Sequence, residues 1–204
     1  MLELVTGATL AVSAGLNAYI PLLGLGLLSR FTDVVQLPAG WSWLENGWAL
    51  GILGVLLLIE VLVDKVPALD TVNDVLQTVV RPASGGMVFA AGSASDTFAV
   101  PDPASFVTSA QFWPFVLGIA IALVPHLLKT IARPVLNALS AGVGAAVASF
   151  FEDVGAVLLT VLAVIVPLVA LAGVALILVL LIRRLSRGLR ERAAQRATPI
   201  SPPV

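Results

Sequence analysis

Residues 60–82, EVLVDKVPALDTVNDVLQTVVRP, bring six charged side chains into 23 positions: Glu60, Asp64, Lys65, Asp70, Asp74 and Arg81. Upstream of them lies an almost uninterrupted apolar run from Gly47 to Val63. From Asp70 onward, Val72, Val75, Leu76, Val79 and Val80 recur at the spacing of one helical face, with Asp70, Asp74, Gln77 and Arg81 opposite. Pro67 suits a first helical turn, Asp70 suits an N-cap, and Pro82 lacks the N–H that would continue the ladder. The stretch therefore predicts a short amphipathic or re-entrant helix over 70–81, at the membrane boundary just past the end of a spanning helix.

Working outward, 59% hydrophobic residues, 11% charged residues and a mean hydropathy of +1.05 exclude a soluble globule, in which charge would approach a quarter of the chain. The fold class is all-α, a polytopic membrane helix bundle. With no cysteine, disulfides, thiolate metal sites and thiol chemistry are excluded. A single histidine excludes any site that needs two imidazoles. Hard cations on oxygen ligands remain, with Glu60, Asp64 and Asp74 as the candidate ligands of a metal, and no bound cofactor is expected beyond a hard cation or a proton.

About six spans follow from the runs without charge: 4–29, 47–63, 82–97, 108–128, 134–151 and 155–182. The first carries Asn17 in its middle, and Pro21 removes the helical donor from the Asn17 carbonyl. Either the helix kinks, with Asn17 bonded to a neighbour, or it breaks to line a site. Residues 31–47 read as a loop, with Trp41, Trp43 and Trp48 as headgroup-level markers. Glycine-rich residues 82–97 suit a thin span or a re-entrant helix, and 96–111 form the longest loop. Pro125-His126 breaks the fourth span near its end, and Glu152-Asp153 marks a turn between the fifth and sixth.

Ten of the eleven basic residues fall on one side of this arrangement, leaving Arg30 on the other. Both termini are therefore expected in the cytoplasm. Residues 183–204 form a basic tail expected to be disordered, where Arg183, Arg184, Arg187, Arg190, Arg192 and Arg196 would attract anionic lipid or simply anchor the topology. Membrane lipids are thus the expected partners; nucleic acid is not, and a homo-oligomer is compatible with this composition.

The strings Asp74-Val-Leu-Gln-Thr-Val-Val-Arg81-Pro82 and His126-Leu-Leu-Lys-Thr-Ile-Ala-Arg133-Pro134 share Leu, Thr, Arg and Pro in register. Such an echo suits 3+3 inverted repeats, the plan of many secondary transporters. Carboxylates at membrane depth are costly, and they mark sites for ions, protons or polar solutes. The candidate pathway comprises Asn17, Glu60, Asp64, Asp70, Asp74, Arg81, His126 and Lys129. A scaffold reading competes: Asp70 caps, Lys65 snorkels, and Asp74 pairs with Arg81.

Several of these motifs occur together in one family. Asn17 in AGLNAYIP, Glu60 with Asp64-Lys65-Val66-Pro67, Asn73-Asp74, Arg81-Pro82-Ala83-Ser84-Gly85, His126 with Lys129, and Glu152-Asp153 resemble the bacterial membrane proteins grouped as domain of unknown function 4126. The resemblance implies a multi-span inner-membrane protein and brings no activity with it. A fainter likeness is to cation/proton exchangers with Glu-x-Gly-Asp-Lys in each half. Here three residues separate Glu60 from Asp64, the glycine is missing, and no second Asp-Lys occurs. The expected function is a small transporter or channel-like protein for a cation, a proton-coupled solute or another small polar species. The alternatives are an enzyme acting on a lipid phosphate with a divalent ion, and a non-transporting lipid-binding scaffold.

Overall fold

The computed structural model describes residues 2–93, 111–141, 143–166, 169, 172–173, 175–180 and 182–184, and among them the secondary structure is helical, without strands. Helix α1 spans Leu2–Leu16 and α2 spans Tyr19–Phe31; a 3-10 helix follows at Ala39–Glu45, then α3 at Gly47–Val63, α4 at Pro67–Ser93, α5 at Phe112–Ser140 and α6 at Val143–Ile165. Two of these, α5 and α6, are long and apolar enough to cross a membrane on their own. The 3-10 helix and α3 meet at 65° and together pass the same test. These helices, with the shorter apolar α1 and α2, point to a membrane protein.

The first predicted span is two helices, because the chain breaks at Asn17-Ala18. Pro21 then sits in the first turn of α2, where backbone N–H groups have no intrahelical acceptor and its missing donor costs nothing. The Asn17 side chain serves that turn, its Oδ1 accepting from Tyr19 N at 3.1 Å and Ile20 N at 3.2 Å. From α4, the Ser84 hydroxyl donates to the Ala18 carbonyl at the same break. The helix is broken at Asn17, and the Asn17 amide is also bonded to a neighbouring helix, donating to Asp153 at 3.0 Å.

The other prolines behave differently. Pro82 lies within α4, and Pro125 and Pro134 lie within α5, neither helix ending at them. The short helix expected over 70–81 and the thin span expected over 82–97 are therefore one continuous helix as far as Ser93, with the rest of that span outside the described residues. Asp70 falls inside α4 rather than capping it. Likewise α5 continues past Lys129 to Ser140, where Ala141 ends it in the left-handed conformation at φ 50°. The expected spans 134–151 and 155–182 do not match α6, and Glu152-Asp153 stands in the middle of that helix instead of at a turn. Neighbouring helices supply the packing that lets a proline-bearing helix continue, a competition that local propensity does not register.

Helix α4 is amphipathic in the inverted sense. Val72, Val75, Leu76 and Val79 are exposed, while Asp74, Gln77, Arg81 and Ser84 are buried. The polar stripe thus faces protein and the apolar stripe faces outward, as a hydrocarbon surround requires. Helices α4 and α5 run antiparallel, Gly85 lying against Gly118 and Ala122 while Thr78 meets His126. A methyl group on Gly118 would stand 2.3 Å from the Gly85 carbonyl oxygen, so the backbones touch there. Helix α1 joins α6 through hydroxyls, Ser13 donating to the Ala156 carbonyl at 2.8 Å and Thr6 to the Ala163 carbonyl at 3.1 Å. Trp41, expected at headgroup level, is buried in the apolar core beside Leu22, Leu25 and Leu44; Trp43 and Trp48 are exposed.

Candidate functional site

Charge enters the interior from four helices and the break in the first. The last turn of α3 presents Glu60, the residue after it is Asp64, and the inverted face of α4 presents Asp74, Gln77 and Arg81. On α5, the buried residues Gly118, Ala122, His126, Lys129 and Arg133 recur every three or four positions. One face of this helix is therefore small where it meets α4 closely and cationic beyond that contact.

Asp64 is the hub. Its Oδ2 accepts from Lys129 Nζ at 2.8 Å and from Arg133 Nη2 at 3.2 Å, with Arg81 Nη2 at 3.5 Å. Asn73 donates to its Oδ1 at 2.8 Å. Burial alone would raise this carboxyl, which lies one residue past α3, but Lys129, Arg133 and Arg81 hold it down at about 2. Glu60 pairs with Arg81 at 2.9 Å, both side chains fully enclosed. Glu152 of α6 takes Lys129 at 2.9 Å and Arg133 at 3.0 Å. Beside it Asp153 accepts from the Asn17 amide at 3.0 Å and lies 3.9 Å from Lys65. A chain of polar contacts thus leads from the break in the first span to the end of α3.

Every sequence-predicted residue with a described side chain belongs to this network or lines it. Asn17, Glu60, Asp64, Arg81 and Lys129 are in direct contact with it, whereas the Asp70 side chain lies outside the described residues. Asp74 does not pair with Arg81: it is 6% exposed, has no ion pair, and its Oδ1 accepts no hydrogen bond among the described residues. Arg133, Glu152, Asp153, Asn73, Thr78 and Ser149 are further members. Arg133 and Glu152-Asp153 carry charge in apolar helices, which is the signal that identifies them; for Asn73 and Ser149 no such signal exists.

His126 is fully buried against Thr78, with Nε2 and Oγ1 3.0 Å apart. Because the Thr78 hydroxyl donates to the Asp74 carbonyl at 2.8 Å, it accepts from the histidine Nε2–H. The other ring nitrogen, Nδ1, has no partner among the described residues. Gln77 Oε1, Glu60 Oε2 and Arg81 Nη1 are in the same condition.

Glu60, Asp64 and Asp74 do not form a divalent-metal cage. Two of them are occupied by guanidinium and ammonium groups, and no cluster of three histidine, aspartate or glutamate side chains able to hold a metal occurs among the described residues. A cavity of about 600 Å³ reaches Glu60 and Gln77 past Tyr19 and Asn73. A smaller one of about 180 Å³ lies between α4 and α5 at Asp74.

No curated protein and no solved structure matches this chain. One family does, over residues 4–187, and by that match the protein belongs to the family described as Domain of unknown function (DUF4126).

Proposed function

We propose that this protein is a small multi-pass transporter or channel-like protein of the cell inner membrane, moving a cation, a proton-coupled solute or another small polar species. The observation that carries this reading is the buried ion-pair cluster of Glu60, Asp64, Arg81, Lys129, Arg133 and Glu152, next to the Asn17–Asp153 contact and bordered by polar atoms of Asp74, Gln77, Arg81 and His126 that have no hydrogen-bond partner among the described residues. A scaffold gains nothing from such atoms, because each buried unpaired group costs roughly 1–3 kcal/mol. In transporters, interrupted helices and intramembrane charge accompany a site near the bilayer midplane. The break at Asn17-Ala18 supplies that feature, tied to the network through Asp153.

Six crossings suit the helices with altered limits: α1 with α2, α3, α4, α5, α6, and the helical residues from 169 to 184. Both termini then face the cytoplasm, with Lys65, Arg81, Lys129 and Arg133 toward that side. The echoed positions Gln77 and Lys129, and Arg81 and Arg133, are buried on neighbouring helices, but these are the third and fourth crossings, which are not equivalent positions of a 3+3 repeat. Ion pairing speaks against the lipid-phosphate enzyme, whose aspartates would have to be free to hold a divalent ion.

The test is flux in proteoliposomes. Parent protein should move protons, sodium or potassium above the protein-free background, read with pH- and cation-sensitive dyes. Asn17→Leu should remain monodisperse and lose that flux. Parent protein without flux of any of these ions or of a coupled solute overturns the reading, and so does full flux in Asn17→Leu.

A further inference from the structure

Among the described side chains of the network, five carboxylates face four cations: Glu60, Asp64, Asp74, Glu152 and Asp153 against Lys65, Arg81, Lys129 and Arg133. Four of the five have a cationic partner, and Asp74 is the surplus one. It is buried on the α4–α5 interface, where the charged groups around it are Lys129 and Arg133 of α5, Asp64 just past α3, Glu152 of α6 and Arg81 of its own helix. None of these cations reaches it.

The cavity beside Asp74 is lined by Thr78, Thr130, Arg133, Pro134 and Asn137 as well. Asn137 contributes a second buried oxygen, Oδ1, with no hydrogen-bond partner among the described residues. The two threonines are the echoed pair, and each is followed four residues later by a proline, Pro82 and Pro134. A proline has no N–H to give to the carbonyl one turn back, so the Thr78 and Thr130 carbonyls lack their ordinary helical donors. One small cavity thus gathers a carboxylate, an amide oxygen and two threonines with proline-freed carbonyls. Arg133 also lines it, and its Nη2 is held by Asp64 and Glu152.

We propose that this cavity is a binding site for a small monovalent metal cation such as sodium, with Asp74 as its charged ligand. A single carboxylate with neutral oxygens matches one positive charge; a divalent ion usually draws more carboxylates, and a thiolate- or imidazole-seeking metal finds no ligand here. A proton alone would join Asp74 to one further oxygen and leave the remaining acceptors without a partner. The proposal deepens the transport reading by naming the species, and it rests on that reading only for what the bound ion is used for.

Binding is therefore measured apart from flux. The full chain in detergent is melted in sodium, lithium, potassium or choline chloride at constant ionic strength, and in magnesium chloride. Sodium should raise Tm by a few degrees per tenfold rise in concentration above the dissociation constant, while choline does not. Asp74→Asn should abolish the shift and Asn137→Ala should weaken it at least tenfold in apparent affinity; Glu45→Gln, at the far end of α3, should leave it intact. No shift with any alkali cation overturns the site, as does an equal shift in Asp74→Asn, a response to pH alone, or one to magnesium alone. Should Asp74→Asn fail to fold, an unchanged sodium response in Asn137→Ala overturns the site by itself. Sodium binding without flux would keep this site and remove transport, whereas sodium flux undiminished by Asp74→Asn would keep transport and remove this site.

Discussion

Asp64 and Asp74 bring the same side chain into opposite circumstances. Asp64 is surrounded by Lys129, Arg133 and Arg81, so neutralising it strands buried cations. Asp64→Asn should lower stability by about 3–5 kcal/mol, the usual cost of breaking a buried pair from one side, read as a fall in Tm. Asp74→Asn removes a charge that has no partner, and in alkali-free buffer its Tm should equal or exceed that of the parent. Acid separates the two again. The Asp64 carboxyl is held at about 2 against an ordinary 3.8, so its contribution is complete above 3.8 and is lost as pH falls through 2. Melting curves of the parent should therefore weaken across that window, and those of Asp64→Asn should be flatter there. A mutant as acid-sensitive as the parent would remove Asp64 from the centre of the network.

At the scale of the helix, glycine determines how closely α4 and α5 approach. Gly118 has the Gly85 carbonyl where a methyl would go, whereas nothing lies within 4 Å of the corresponding position at Gly51 on α3. Gly118→Ala should lower stability by about 1–3 kcal/mol through forced separation of the helices. Gly51→Ala should be neutral or stabilising by up to about 1 kcal/mol, since alanine favours a helix interior. Equal Tm values for the two variants would contradict the contact. The same helices show what was legible in the sequence. The limits 47–63 coincide with α3 because its apolar run ends in charge, and Asn17 with Pro21 marks an irregularity, a kink or a break, because the Asn17 amide and its proline-freed carbonyl have no apolar reason to be there. The continuity of α4 through Pro82, and of α5 through Pro125 and Pro134, was not legible: whether a proline ends a helix depends on neighbours the local sequence does not name. Periodicity within 60–82 gives the two faces of the helix but not what each of them meets. The apolar stripe faces outward and the polar stripe lies against α5, and nothing within 60–82 reports that the complementary charges are Lys129, Arg133 and Glu152.

Seen whole, the molecule places Arg30 against Glu45 at one end of α3 and gathers Lys65, Arg81, Lys129 and Arg133 toward the other. Single cysteines introduced into this cysteine-free chain at Ser42 and Ser186 should react with an impermeant maleimide from outside and inside the cell respectively. Reaction of both from one face would exclude the six-crossing arrangement. The hub also imposes an order on biogenesis. Asp64 waits for Lys129 and Arg133, which lie 65 and 69 residues further along. While the ribosome is still making the intervening chain, α3 and α4 must be held with a bare carboxylate, supported only by Arg81 and Asn73. A nascent chain released before α5 is complete would be a substrate for membrane quality control, and the two halves expressed as separate polypeptides should accumulate only when made together.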